Sequence, residues 1–207
     1  MPADFHRPVR RSSFDNLPGR DDPAEQARVA HATASALLAR VRADDSGVSA
    51  ERLISFTDEH GIDEIAELWA DAPARSLPGA LWRLYLLQSS IHGDPALAAL
   101  LHERGRIALP TADAMVAGAP VPASPDEMVA LIDTILRGVF RGDFAIALDR
   151  AAAFCRVQAS GATHLADDYE RTEADRASDL TARALRLSTY ADDLTACAAS
   201  WRRGTLT

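Results

Sequence analysis

Residues 78–92, PGALWRLYLLQSSIH, decide the fold class of this chain. On a helix of this sequence, large apolar side chains point in almost every direction: Leu81, Trp82, Leu84, Tyr85, Leu86 and Leu87. Apolar side chains all round a helix are typical of a helix that other elements cover on most sides. We therefore predict that this segment is the central helix of an all-α protein.

Start and stop signals on either side of this segment predict more helices. Asp22, Pro23 and Glu25 supply the capping chemistry of a helix over 23–42. No strand-like alternation of comparable length occurs, so we expect a compact bundle of about eight helices. The others are predicted from Ser49 to Gly61, from Ile62 to Pro73, from Pro95 to Gly105, from Pro125 after a capping box at Ser124 and Glu127, over 143–159, and along an apolar seam from Leu180 to Trp201.

The domain organisation is predicted to be simple. A chain of 207 residues suits one domain with a proper core. Prolines in residues 1–20 predict a flexible basic arm there, and residues 21–207 are predicted to form a single helical domain. The proline-rich connection 106–123 is predicted to separate two sub-bundles. The expected core comprises Leu81, Leu84, Tyr85, Leu131, Ile135, Leu148, Leu187 and Leu194.

The composition excludes several kinds of chemistry. All 22 basic residues are arginine, so lysine-dependent phosphate loops, Schiff bases and pyridoxal attachment are ruled out. The two cysteines, Cys155 and Cys197, fit no metal or CxxC spacing, and Cys155 lies on an apolar face where we expect a structural thiol. No apolar run suggests a signal region or a membrane span, so we expect a cytoplasmic protein without membrane contact.

Residues 164–170, HLADDYE, form the most suggestive cluster of polar groups. His164, Asp167 and Asp168 would share one face of a helix and could bind a divalent cation. The alternative is a solvated first helical turn after Gly161, in which the carboxylates compensate the helix dipole. No second ligand motif completes a bundle metal site, so we favour this alternative and expect no resident metal or cofactor.

Three other histidines, His60, His92 and His102, stand at polar ends of apolar helices, where we expect capping or surface positions. The hairpin spacing of residues 49–71 is that of a helix-turn-helix. Its second helix carries four carboxylates and no arginine, so phosphates would repel it. We therefore expect no direct DNA binding.

Charge is distributed unevenly along the chain. The total is −8, yet residues 1–20 carry +2, so the other 187 residues carry −10. Arg7, Arg10 and Arg11 in the basic arm are candidates for contact with the carboxylates or phosphates of a partner. The same arm could instead fold back onto the acidic body of the protein.

Four stretches of the chain resemble a known group of sequences: DFHRP, VAHATASALLARVR, SLPGALWRLYLLQ and RGDFAIALDRAAAFCRVQASGATHLADD. Together they are similar to uncharacterised small, Ala- and Arg-rich helical proteins of high-G+C actinobacteria, some of which are labelled DNA-directed RNA polymerase subunit beta. The resemblance covers most of the chain and implies an association with transcription, with RNA polymerase as the partner to test. It implies no catalytic residue.

Two functional hypotheses follow. The first is a non-enzymatic helical interaction or regulatory protein that binds another protein, with Arg7, Arg10 and Arg11 in the contact. The alternative is a helical metal- or ligand-binding enzyme whose site lies near His164, Asp167 and Asp168, with His60 or His92 brought close by folding. Neither hypothesis specifies whether the chain forms a homo-oligomer.

Overall fold

The computed structural model describes residues 23–39, 62–109 and 123–207. These residues form seven α-helices and contain no strand, which confirms the predicted all-α class. The helices are α1 Pro23–Ala39, α2 Ile62–Glu67, α3 Leu77–Gly93, α4 Pro95–Ala108, α5 Pro125–Leu136, α6 Phe144–Tyr169 and α7 Ala174–Arg202. The basic arm 1–20, the helix from Ser49, His60 and most of the connection 106–123 lie outside the described residues.

Helix starts follow the local capping chemistry that the sequence indicates. The Asp94 carboxylate accepts a hydrogen bond from the Leu97 N–H at the start of α4. At the start of α5, the Ser124 hydroxyl accepts from the Glu127 N–H while the Glu127 carboxylate accepts from the Ser124 N–H. This reciprocal arrangement is the predicted capping box, and it satisfies two backbone donors that the helix leaves unpaired.

Helices α6 and α7 form a long antiparallel hairpin, against which α3, α4 and α5 pack, while α1 and α2 lie against α3. The predicted seam of α7 is buried along this hairpin at Leu180, Ala184, Leu187, Ala191, Leu194 and Ala198. Helix α4 lies on the C-terminal half of α6, and α3 contacts α1, α5 and α7. The main core therefore combines side chains from before and after residues 110–122.

Six of the eight predicted core residues are buried, and Tyr85 and Leu131 are half-buried. Tyr85 differs because its hydroxyl donates a hydrogen bond to the exposed Asp63 carboxylate at 2.9 Å, which keeps that end of the ring at the surface. Its ring stacks on Trp82 with centroids 5.3 Å apart. A tyrosine on a buried helix often places its polar tip in water in this way.

Two glycines predicted to interrupt helices lie inside them. Helix α4 continues past Gly105 to Ala108, and Gly161 lies in the interior of α6, which runs on to Tyr169. A Cβ atom on Gly105 would stand 1.8 Å from the Val157 carbonyl oxygen, and one on Gly161 would stand 1.9 Å from the Leu101 carbonyl oxygen. These glycines therefore allow the α4 and α6 backbones to touch, which is why they occupy helical positions despite their low helix propensity.

Candidate functional site

The cluster His164, Asp167 and Asp168 lies on the exposed side of the last two turns of α6. The expectation that it forms the first turn of a helix is wrong, because α6 does not break at Gly161. Carboxylates at this end face the negative end of the helix dipole. Asp168 is held instead by Arg104 of α4, with Nη1 3.0 Å from the carboxylate.

Residues 23–39, 62–109 and 123–207 offer no preformed metal site. Within those ranges, no group of three or more His, Cys, Asp or Glu side chains is arranged to hold a metal ion. Of the other residues proposed for an enzyme site, His92 is exposed at the end of α3. Within the described residues, His92 therefore does not join the α6 cluster in a group that could hold a metal ion.

His102 is buried, which corrects the expected surface position. Its ring stacks on Phe154 of α6 with centroids 5.8 Å apart, and its Nδ1 has no hydrogen-bond partner in the described structure. Burial lowers the pKa of His102, and the positive charge of Arg106 lowers it further. The ring is therefore kept neutral, which suits a packing role between α4 and α6.

A buried ionic cluster joins α7 to α3, and sequence reasoning missed it. The Asp193 side chain is only 8% exposed and accepts from Arg83 Nη2 at 2.8 Å and from Arg75 Nε at 3.1 Å. Arg83 also lies over the Tyr190 ring, 5.7 Å from its centroid. The cluster could have been found from the helical spacing of Tyr190, Asp193 and Cys197. This spacing places the Asp193 carboxylate beside the apolar seam of α7.

Both cysteines are buried and free, which agrees with the structural thiol expected at Cys155. Burial raises the pKa of Cys155 to about 12 and that of Cys197 to about 11. Since the thiolate is the reactive form, neither residue has the environment of a nucleophile.

A cavity of about 300 Å³ lies where α1, α3, the α5–α6 connection and the end of α7 meet. Large side chains dominate its apolar lining, and polar groups line a comparable part of its surface. The apolar residues are Leu38, Ala39, Leu77, Phe140, Phe144, Trp201 and Leu206, and His31, Ser35 and Arg141 supply the polar groups. An apolar concavity with a few polar groups is the usual form of a small-molecule site.

Packing around the cavity fixes its aromatic wall. Phe144 and Trp201 meet edge to face with ring centroids 5.0 Å apart, which ties the start of α6 to the end of α7. Behind the cavity, the Leu77 N–H donates to the Thr207 carbonyl at 3.0 Å, and this bond holds the segment that carries Leu206 against α3. The wall is therefore preformed by contacts among separate elements.

The polar groups of the cavity lie on two elements. His31 and Ser35 are one turn apart on α1, with Nε2 and Oγ separated by 3.3 Å. Arg141 is exposed in the connection before α6, and none of the ion pairs among the described residues includes it. The described residues of the lining include no Asp or Glu, so they present positive charge and hydrogen-bonding groups beside an apolar wall.

Comparison with known proteins found no match among protein-family models, curated proteins or solved structures. Among the described helices, none combines the length and the apolar character that crossing a membrane requires. The cavity is thus the feature of the described residues that most resembles a functional site. Sequence reasoning missed it because its lining comes from four segments far apart in the chain.

Proposed function

We propose that this chain is a non-enzymatic binding protein of the regulatory kind, and that its helical domain takes up a small organic ligand in the cavity beside Trp201. The single observation that carries this proposal is the combination of an aromatic wall with His31, Ser35 and Arg141 in one concavity. Its volume of about 300 Å³ lies at the lower end of the range for small-molecule sites.

The His31 and Ser35 pair has the separation of a general base and a hydroxyl nucleophile. Such a pair needs a third group to orient the imidazole ring. The cavity lining offers no carboxylate for that purpose. We therefore assign this pair a role in hydrogen bonding to a ligand rather than in catalysis.

The aromatic wall supplies the main attraction for a ligand. Phe140, Phe144 and Trp201 are tied to the bundle, so a flat apolar molecule would bury its surface without reordering them. For a ligand of about ten heavy atoms, a dissociation constant of about 1 mM requires only about 0.4 kcal/mol of binding free energy per atom.

Titration calorimetry with indole, a neutral flat ligand, tests the proposal. The intact chain is expected to bind one equivalent, and Ser35→Trp, which fills the cavity, is expected to abolish binding. Ser178→Trp adds the same bulk to an exposed position of α7 and is the matched control, which should bind as the parent does. Absence of saturable binding to the parent, or binding that survives Ser35→Trp in a folded variant, would contradict the proposal.

A second candidate function is binding of another macromolecule through the basic arm. The observation that favours it is the charge difference between residues 1–20, at +2, and the rest of the chain, at −10. Arginine forms bidentate bonds with carboxylates and phosphates, so Arg7, Arg10 and Arg11 suit an acidic partner. The described surface offers a competing internal partner, because Asp63, Glu67 and Asp71 are all exposed around α2.

A pull-down from native lysate tests this second function, with RNA polymerase among the proteins probed. The intact chain is compared with one in which Arg7, Arg10 and Arg11 are replaced by Gln. A binding role for the arm requires that the intact chain recovers a defined partner and that the triple variant recovers much less of it. Equal recovery by both chains removes the arm from the contact, and recovery of no partner by either removes this function.

A further inference from the structure

The charged and polar side chains that line the cavity indicate which class of ligand it binds. We propose that it binds small organic acids, with the carboxylate held by Arg141 and the flat apolar body against Phe140, Phe144 and Trp201. This inference rests on the proposed ligand-binding function and adds that the ligand carries a carboxylate.

Among the described residues that line the cavity, Arg141 is the one that carries a full charge. Three other guanidinium groups are engaged by carboxylates: Arg83 and Arg75 are held by Asp193, and Arg202, next to Trp201 in sequence, is held by Asp149. None of the ion pairs among the described residues includes Arg141, so a ligand would not have to displace an internal carboxylate to reach it. The guanidinium plane offers parallel N–H donors that match both oxygens of a carboxylate.

Hydrogen-bonding groups on the facing side of the cavity are consistent with an anion. The Ser35 hydroxyl can donate to a carboxylate oxygen, and the imidazole ring of His31 lies 3.3 Å from that hydroxyl. Carboxylates in the lining would repel an anion, and the lining has none. A cationic ligand would instead meet Arg141 with no compensating acid.

The size of the cavity favours a compact acid. A volume of about 300 Å³ accommodates an aromatic ring with a short acidic side chain, whereas a nucleotide or a long acyl chain would extend beyond it. A carboxylate carries a single negative charge, which the one guanidinium of the described lining neutralises. A monocarboxylate with a ring is therefore the ligand class that the lining fits.

Titration calorimetry with a matched pair of probes tests this inference on the full chain. Indole-3-acetate and indole-3-acetamide have the same shape. The first ends in a negatively charged carboxylate and the second in a neutral amide. We expect the acid to bind at least about tenfold more tightly than the amide at pH 7.5, and this preference to shrink as salt is raised. Arg141→Gln is expected to remove the preference by weakening the acid alone.

The control is Arg171→Gln, which removes the same charge in the turn between α6 and α7. A helix of the length of α6 places that turn about 37 Å from the cavity end. Arg171→Gln should keep the tenfold preference. Equal binding of acid and amide by the parent, or a preference that survives Arg141→Gln, would overturn the inference while leaving the ligand-binding function standing. If neither probe nor indole binds, both proposals fail together.

Discussion

The two ends of α6 pack by opposite means. Near its C-terminal end, Gly161 and Gly105 bring the backbones of α6 and α4 into direct contact, and no space for a side chain remains between them. At its N-terminal end, Phe144 packs against Trp201, and the large rings hold the elements apart around a cavity of about 300 Å³. Small residues thus make one end of the bundle tight, while bulky rings of fixed shape leave room at the other.

The largest effect is expected from a substitution that disrupts the backbone contact between α4 and α6. In Gly161→Ala the new methyl group would stand 1.9 Å from the Leu101 carbonyl oxygen, so α4 must shift away from α6. We expect a loss of at least about 3 kcal/mol in the free energy of unfolding, measured by urea denaturation, because the obstacle is backbone that cannot rotate away.

Gly93→Ala is the matched control for this change. Gly93 ends α3, and nothing lies within 4 Å of a Cβ atom placed there. We expect Gly93→Ala to leave stability unchanged or to raise it by up to about 1 kcal/mol, since alanine restricts the unfolded chain. Equal effects of the two substitutions would show that helix propensity, and not the backbone contact, governs both sites.

The next effect concerns the contact between α7 and α3, towards the cavity end. Asp193→Asn removes the charge that holds Arg83, whose side chain is 12% exposed, and leaves a guanidinium in a nearly dry environment. We expect a loss of about 2–3 kcal/mol in the free energy of unfolding. Asp168→Asn breaks the exposed pair with Arg104 and should cost less than about 1 kcal/mol. Similar losses from the two variants would contradict the assignment of Asp193 as a buried anchor.

The smallest expected effect is a pH dependence of the free energy of unfolding, caused by His102 between α4 and α6. An unfolded histidine takes up a proton near pH 6.5, while burial lowers the pKa of His102 in the folded protein. Below pH 6.5 the unfolded chain therefore binds more protons than the folded one, and stability falls as the pH falls, by at most about 1.4 kcal/mol per pH unit. Glu103 and Glu127 oppose the effect of Arg106 and reduce the slope.

Urea denaturation at pH 7.5, 6.5 and 5.5 measures this dependence. The difference between the parent and His102→Leu isolates the contribution of His102, because the other titrating groups are common to both. His92→Gln changes an exposed histidine and should keep the parent slope. If His102→Leu also keeps the parent slope, the buried ring does not contribute to the pH dependence.

Sequence reasoning succeeded where structure depends on near neighbours in the chain. The caps at Asp94 and at Ser124 with Glu127 involve residues three positions apart, so their hydrogen bonds could be predicted from spacing alone. The α7 seam was predictable because its residues repeat at helical spacing over the whole helix. At the candidate site, the aromatic residues could be recognised as apolar, but nothing local indicated that they surround a shared cavity.

By itself, the sequence determined the all-α class, the chemistry that the lysine-free composition excludes and most helix starts, since these follow from composition and from contacts within a turn or two. Only the tertiary structure decided that Gly105 and Gly161 join helices rather than end them, that His102 and Asp193 are buried, and that Arg141 shares a cavity with Trp201. The reason is physical: whether a glycine breaks a helix or admits a neighbour, and whether a polar side chain meets water, depends on what packs against it from distant parts of the chain.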